Sequence, residues 1–246
     1  MKESTQSLIS RGAIFVVDPC PEQFILTLFL LEKGPGTGEF HPVINWKAPN
    51  RFPPKEKFKM EGLHTTRSLL RRGDFMMKLD LKDAYNAVPI HPESRKYLRF
   101  YHEGRTYEFC CLPFGLSLAP RVFTRILRPI IVRLRSEGIR TVIYLDDLLL
   151  IHHQKDRLTK IFNYVRRLLS GLGFIVKLEK CSPEPTHRLV FLGAVLDTTC
   201  MSISLPDKQI DRIQEACQTM LESQSTSLGE LSSLLSCMSH AAWTGL

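Results

Sequence analysis

Three aspartates are the residues whose spacing points to chemistry. Asp80 closes the apolar run FMMKL, and Asp146 and Asp147 stand together between the apolar runs TVIYL and LLLI. Carboxylates gathered at one exposed point suit a hard divalent cation such as Mg2+, which prefers carboxylate oxygens, waters and phosphates. Two such ions held roughly 3.5–4 Å apart neutralise both the attacking and the leaving oxygen of an in-line phosphoryl transfer. The pair also has a plainer reading, because aspartate tolerates turn geometry and favours solvent, so an Asp-Asp tip is also an ordinary hairpin turn. The flanking runs separate the two readings: strongly apolar strands bury the faces of the hairpin, and a metal site requires a rigid, buried base.

The elements that must hold these acids follow from hydrophobic periodicity. FMMKLDL reads as a strand ending near Asp80, and TVIYL with LLLI reads as a hairpin with acids at its tip. Residues 97–101 and 106–112 flank Glu103 and Gly104 as a second hairpin. A helix is expected from Pro120, with apolar positions 123, 126, 127, 130 and 134 on one face and Arg121, Arg125, Arg128 and Arg135 on another; Pro129 should kink or end it. Leu158, Ile161, Phe162, Val165, Leu168, Leu169 and Leu172 mark the clearest amphipathic helix, closed by Gly171 or Gly173. FIVKL follows as a strand, and VFLGAVLD and MSISL as two strands joined by a turn at 197–200. Two helices end the chain, the second opened by a capping box at Ser227 and Glu230. The first sixty residues read as loop-rich around one short strand, VIN, and a helix within 61–72 is expected to stop at Gly73. Strands and helices without βαβ alternation give an α+β domain trailed by a helical segment.

Bulk properties agree with a globular fold. The 246 residues are 43% hydrophobic, enough for a sizeable core. A formal charge of +8 suits a polyanionic partner such as nucleic acid. The seven cysteines show no metal-ligand or disulfide spacing and read as reduced, mostly buried thiols. The amino end lacks an apolar signal region and Leu26–Leu31 is too short to span a bilayer, so a soluble intracellular protein with no membrane partner is expected, in cytoplasm or nucleus alike.

The motifs LDLKDAY, LPFGLSLAP and YLDD, in that order, resemble motifs A, B and C of retroelement reverse transcriptases. GLGFIVKLEKC is similar to motif D, VFLGAVL to the primer-grip hairpin of motif E, and PVINWKAPNRF to the fingers segment usually written RPVINLKALNRF. The wording FKMEGLHTTRSLLRRGDFMMKLDLKDAY most resembles DIRS-type retrotransposons that move with a tyrosine recombinase. The resemblance implies a right-hand polymerase fold: fingers at 1–73 and 90–113, palm at 74–89 and 114–205 with an antiparallel sheet, and the start of a helical thumb at 206–246. It implies an RNA-directed DNA polymerase that takes a primed RNA or DNA template, deoxynucleoside triphosphates and two Mg2+ ions, with Mn2+ able to substitute.

Carried over by position, the resemblance makes Asp80 and Asp146 metal ligands, Asp147 the third carboxylate and the Leu81 carbonyl a further ligand. Tyr85 becomes the aromatic gate that excludes a ribose 2′-hydroxyl; outside the motif it would read as a core aromatic. Asp83 and Ala84 offer backbone N–H groups to the triphosphate, and Phe114 and Gly115 line the nucleotide pocket. Lys33 matches the fingers lysine that reaches the triphosphate, Lys180 the motif D lysine that assists proton transfer to pyrophosphate, and Phe191, Leu192 and Gly193 the primer grip. Lys33 and Lys180 also read as solvated charges, and the face of Arg121, Arg125 and Arg128 either tracks template or primer phosphates or is a solvated helix face.

Two positions depart from the pattern. His41 stands where the family has an arginine on the α-phosphate, and histidine lacks the always-charged fork of a guanidinium. Pro49 replaces a leucine. His41 motivates an alternative, a catalytically weakened remnant that still binds nucleic acid. No second acidic set follows Glu230, so no ribonuclease H activity is expected from these residues.

Overall fold

The computed structural model describes residues 2–32, 40–54, 56–223 and 225–242. They form two compact units: 1–59 with 81–129 and 172–175, and 60–80 with 130–171 and 176–246. These boundaries follow contacts, and three of them, 80/81, 129/130 and 175/176, fall within the strand Phe75–Lys82, a long helix and a short strand.

The amino-terminal sixty residues hold more structure than their composition suggests. They contain α1 (Lys2–Ser10), β1 (Ile14–Val17), β2 (Ile25–Leu26), β3 (Leu28–Glu32) and β4 (Phe40–Ile44), of which only β4 overlaps the expected VIN strand. The other strands are two to five residues long, too short to show alternation. Two of them are strands because distant segments pair with them.

Helix α2 (Leu63–Leu69) stops four residues before Gly73, because Leu70 is already extended and the Arg71 N–H donates to Asp74 Oδ2 at 2.7 Å. Strand β5 (Phe75–Lys82) runs two residues past Asp80. A short helix α3 (Pro92–Arg95) precedes the hairpin of β6 (Arg99–His102) and β7 (Arg105–Phe109). That hairpin turns on Glu103 and Gly104, as expected, with φ of 46° and 76°, the sign a tight primed turn demands. Helix α4 (Ala119–Ser136) contains Pro129 and continues past it, which corrects one of the two expectations, that the proline ends the helix. Proline removes one helical hydrogen bond, and buried Phe123, Leu127, Ile131 and Leu134 anchor the helix on both sides of it. Ile126, placed on the apolar face by spacing, is exposed.

Strands β8 (Arg140–Tyr144) and β9 (Asp147–His152) make the acidic hairpin. Helix α5 (Lys155–Gly171) buries Leu158, Ile161, Phe162, Val165 and Leu169, while Leu172 lies beyond it and is exposed. Only two residues of FIVKL are strand, β10 (Ile175–Val176); Leu178–Lys180 is a 3₁₀ turn. Two expected strands become three, β11 (Arg188–Phe191), β12 (Ala194–Asp197) and β13 (Ser202–Ser204), because Leu192 and Gly193 adopt positive φ and fold VFLGAVLD back on itself. Helices α6 (Asp207–Glu222) and α7 (Leu228–Ala242) follow. The capping box of α7 is made: the Ser227 N–H donates to Glu230 Oε2 at 2.8 Å and the Glu230 N–H to Ser227 Oγ at 3.2 Å.

In the first unit a sheet of order β1-β7-β6-β2 joins antiparallel β1, β7 and β6 to parallel β2, and β3 pairs with β4 separately. Phe100 stacks on Tyr107 inside it at 5.3 Å. In the second unit the sheet order is β10-β5-β9-β8, with α5 on β9 and α2 on β8. Its core joins Met76, Val142, Leu149 and Ile151 to Phe191 and Leu196 of the β11-β12-β13 sheet. Each such side chain contributes about 1.5–3 kcal/mol on burial, which gives the acidic hairpin its rigid base.

All seven cysteines are free thiols, but only Cys111 is buried and Cys200 is exposed, so the reading of mostly buried thiols is corrected. Burial and the neighbouring Cys110 push the Cys111 thiol up to about 12, which keeps it protonated. No helix among the described residues is long and apolar enough to cross a membrane.

Candidate functional site

Strand pairing brings the acids together in the second unit. In the β5-β9 register Asp80 lies opposite Asp147, and in the β8-β9 register Asp147 lies opposite Tyr144. Leu145 and Asp146 form the turn, and Leu145 takes φ of 53°, a left-handed conformation that costs a branched residue roughly 1–2 kcal/mol. Strain of this kind persists only where the surroundings over-determine it. The paired, buried strands β8 and β9 do so here.

The other edge of β5 is clamped by the segment after β10. Lys177 N–H donates to the Asp80 carbonyl at 2.8 Å, Asp80 N–H to Cys181 Sγ at 3.4 Å, and Lys78 N–H to Ser182 Oγ at 2.9 Å. Asp80 is itself buried, at 6% exposure.

Electrostatics set carboxylate against carboxylate in this cluster. Asp146 is exposed at its tip, yet partial desolvation pushes its carboxyl above the ordinary 3.8, and the negative charges of Asp147 and Asp80 add to that rise. Its own backbone hydrogen bond and Lys180 pull the other way. Asp147 Oδ1 is buried and has no hydrogen bond, although Lys78 Nζ lies 2.7 Å away as a charge contact. Three carboxylates gathered at one turn, one of them raised by its neighbours, fit a hard divalent cation. Among the described residues no three such side chains form a ready-made cage. Mg2+ takes part of its shell from waters and substrate phosphates, so the protein need not supply every ligand.

A second cluster lies in the first unit. After β5 the backbone turns at Asp83, whose φ of 48° is left-handed, into a 3₁₀ turn over Ala84–Ala87. Arg11 donates to Asp83 Oδ1 at 2.8 Å and holds that turn. Tyr85 is 7% exposed; its ring sits 4.7 Å from Phe114 and 5.4 Å from Phe123, so it belongs to the core while bordering exposed Phe114. Gly115 has φ of 94°, and a Cβ there would stand 2.4 Å from Cδ1 of Trp46. Asn50 closes the same loop from both sides, donating to the Gly115 carbonyl at 3.0 Å and accepting from the Ser117 N–H at 2.7 Å.

Gly115→Ala therefore meets both a forbidden φ and an indole. It is expected to cost about 1–3 kcal/mol, read by denaturant unfolding, and to weaken binding of any ligand of this loop.

A family model described as reverse transcriptase (RNA-dependent DNA polymerase) matches residues 33–196. The chain belongs to the reverse transcriptase family. Protein P of duck hepatitis B virus is 31% identical over an alignment of 193 residues that covers 74% of this chain and 22% of that protein. The genome polyprotein of Petunia vein clearing virus is 26% identical over 184 residues, 72% of this chain and 8% of the polyprotein. The chain thus spans less than a quarter of these relatives. Two solved structures of the foamy viral protease-reverse transcriptase, one in complex with RNA/DNA hybrid and one with dsDNA, superpose with TM-scores of 0.77. They are 22% and 23% identical, and the match covers 96% and 98% of this chain but 30% and 47% of theirs. The α+β polymerase fold is shared with them.

The remaining positions of the reverse transcriptase motifs fall as follows. Leu81 is buried in β5 beside Asp80. Lys180 ends the 3₁₀ turn rather than a strand, exposed, and its charge reaches Asp146. Phe191 is fully buried, so of the primer-grip residues only the partly exposed turn at Leu192 and Gly193 offers surface. Arg121 is paired with Glu56, Arg133 with Glu137 and Arg135 with Glu61, whereas Arg125 and Arg128 are exposed. Lys33 lies outside the described residues, and His41 is placed only by its backbone, opposite Leu31 in the β3-β4 pair.

Lys78, Arg11, Trp46 and Asn50 are absent from the residues singled out by motif. Lys78 carried a signal: a lysine inside an otherwise apolar strand needs a partner. Arg11 carried none, since its partner lies 72 residues away; Trp46 and Asn50 lie inside the fingers segment PVINWKAPNRF, but their part in the Gly115 loop, 65 residues on from Asn50, needed the tertiary structure.

Proposed function

We propose that this chain is an RNA-directed DNA polymerase that adds deoxynucleotides to a primer 3′ end by two-metal phosphoryl transfer. The observation that carries the reading is the convergence of Asp80 and Asp147 across β5 and β9 with Asp146 at the adjoining turn. Asp80, Asp146 and Asp147 would hold two Mg2+ ions, the metal that reverse transcriptases generally use, with Leu81 adding its carbonyl. Metal held by these residues would supply the positive charge that activates the primer hydroxyl and stabilises the leaving pyrophosphate. The protein's own groups bind and orient. Asp83 and Ala84 present backbone N–H groups to the triphosphate, Phe114 and Gly115 seat the nucleotide, and Lys180 donates a proton to pyrophosphate. Lys33 and His41 meet the phosphates, while Arg121, Arg125, Arg128 and the Leu192-Gly193 turn track the template and primer backbones.

Nucleic-acid complexes of the foamy viral enzyme and the charge of +8 support a primed template as partner. The fingers, palm and thumb boundaries proposed from the motifs, and the likeness to DIRS-type retrotransposons, belong to the same reading.

Primer extension on an RNA template with Mg2+ tests it. Incorporation is expected; binding of primed template with no incorporation favours the weakened remnant, which rests on His41, and restored incorporation by His41→Arg would assign the defect to that residue. Tyr85→Ala is expected to relax discrimination against ribonucleotides by roughly 10- to 200-fold, the range by which a small steric difference is sensed in a pocket. Unchanged discrimination in a folded variant returns Tyr85 to the core alone.

A further inference from the structure

Lys78 stands between Met77 and Leu79 in a strand whose neighbours are almost all buried. A strand places residues two apart on one face, so Lys78 shares its face with Asp80. Its Nζ lies 2.7 Å from Asp147 Oδ1, with the two side chains 21% and 23% exposed. That oxygen has no solvent contact and no hydrogen bond among the described residues, so the exposed part of Asp147 is not Oδ1. The lysine's backbone is pinned as well, since its N–H donates to Ser182 Oγ at 2.9 Å and its carbonyl accepts from the Ser182 N–H at 2.9 Å. A cation held this way against one carboxylate oxygen differs from a surface ion pair. It fixes which oxygen faces outward.

We propose that Lys78 is a positioning residue: it holds Asp147 by Oδ1, turns the other carboxylate oxygen toward the cation site, and weakens divalent-ion binding by its own positive charge. The proposal rests on the reading of Asp80, Asp146 and Asp147 as metal ligands. Lys78 thus serves as an internal counter-ion that keeps Asp147 oriented while no metal is bound. A divalent ion would then bind against a like charge.

The test uses Mn2+ titration of the full chain, followed by electron paramagnetic resonance of free Mn2+, together with melting temperatures in EDTA. Lys78→Met is expected to bind Mn2+ on the order of tenfold tighter, as removal of one nearby charge at intermediate dielectric predicts, and Lys78→Arg to stay near the native affinity. Unchanged or weaker Mn2+ binding by Lys78→Met overturns the proposal. In EDTA, Lys78→Met is expected to lower the melting temperature of the native chain but not of Asp147→Asn; equal losses in both backgrounds mean that Lys78 does not hold Asp147, and also overturn it. If Asp80→Asn and Asp146→Asn leave Mn2+ affinity unchanged, the metal reading fails and Lys78's effect on the ion falls with it. The EDTA cycle still decides whether Lys78 orients Asp147.

Discussion

Asp146→Asn is expected to cut nucleotide incorporation by at least roughly 10³-fold, since a metal-held transition-state charge is worth several kcal/mol. Binding of primed template should persist, because Asp146 sits at a two-residue turn and not in a strand. The same substitution should raise the melting temperature in EDTA. Burial and the charges of Asp147 and Asp80 lift the Asp146 pKa in the folded chain, so between the ordinary 3.8 and that raised value the folded state binds more protons than the unfolded state. Stability from this group is then full below 3.8, falls as pH rises through the window, and stays lower above it. An amide at position 146 carries no charge and escapes that loss. The gain in melting temperature should vanish when native and variant are compared below the window. That window belongs to the metal-free chain, since a divalent cation on Asp146 would favour the ionised form. A variant that melts lower in EDTA at neutral pH would show that Asp146 is not under electrostatic stress.

Asp74→Ala should strongly destabilise the second unit. Asp74 is 1% exposed and bonds both guanidinium nitrogens of Arg140 at 2.5 and 2.7 Å, while also capping the Arg71 N–H. Removing one partner of a buried pair leaves the other charge uncompensated, at about 3–5 kcal/mol. For a chain of this size that is on the order of 10 °C in melting temperature. The Asp74 backbone is also a junction: its carbonyl accepts from Thr198 Oγ1 at 2.6 Å and lies 3.0 Å from His187 Nδ1, tying the start of β5 to the β11-β12 hairpin. Replacing both Asp74 and Arg140 by apolar residues of similar volume should recover much of the loss, because such pairs often break even with a packed apolar substitute. If Asp74→Ala melts within a degree or two of the native chain, the pair contributes little.

What local sequence settled was the set of elements with strong periodicity. Helix α5, the β6-β7 hairpin and the acidic hairpin were legible because each is built from neighbours in the chain, and the apolar flanks of Asp146 and Asp147 announced a buried base. The motifs also singled out Asp80, Tyr85 and Gly115 by residue type and order alone. What local sequence missed was decided by partners far along the chain. Strands β1 and β2 exist because β7 and β6 hydrogen-bond them. The early end of α2 depends on Asp74 taking an amide of the next turn. The turn inside VFLGAVLD needs Leu192 in a left-handed conformation that leucine does not favour by itself. The carboxylates follow the same division. Their identity and order were written in the sequence, because chemistry needs those side chains. Tertiary pairing alone placed Asp147 opposite Asp80 and set Lys78 against its buried oxygen, because strand register and burial are properties of the packed sheet and not of any one strand.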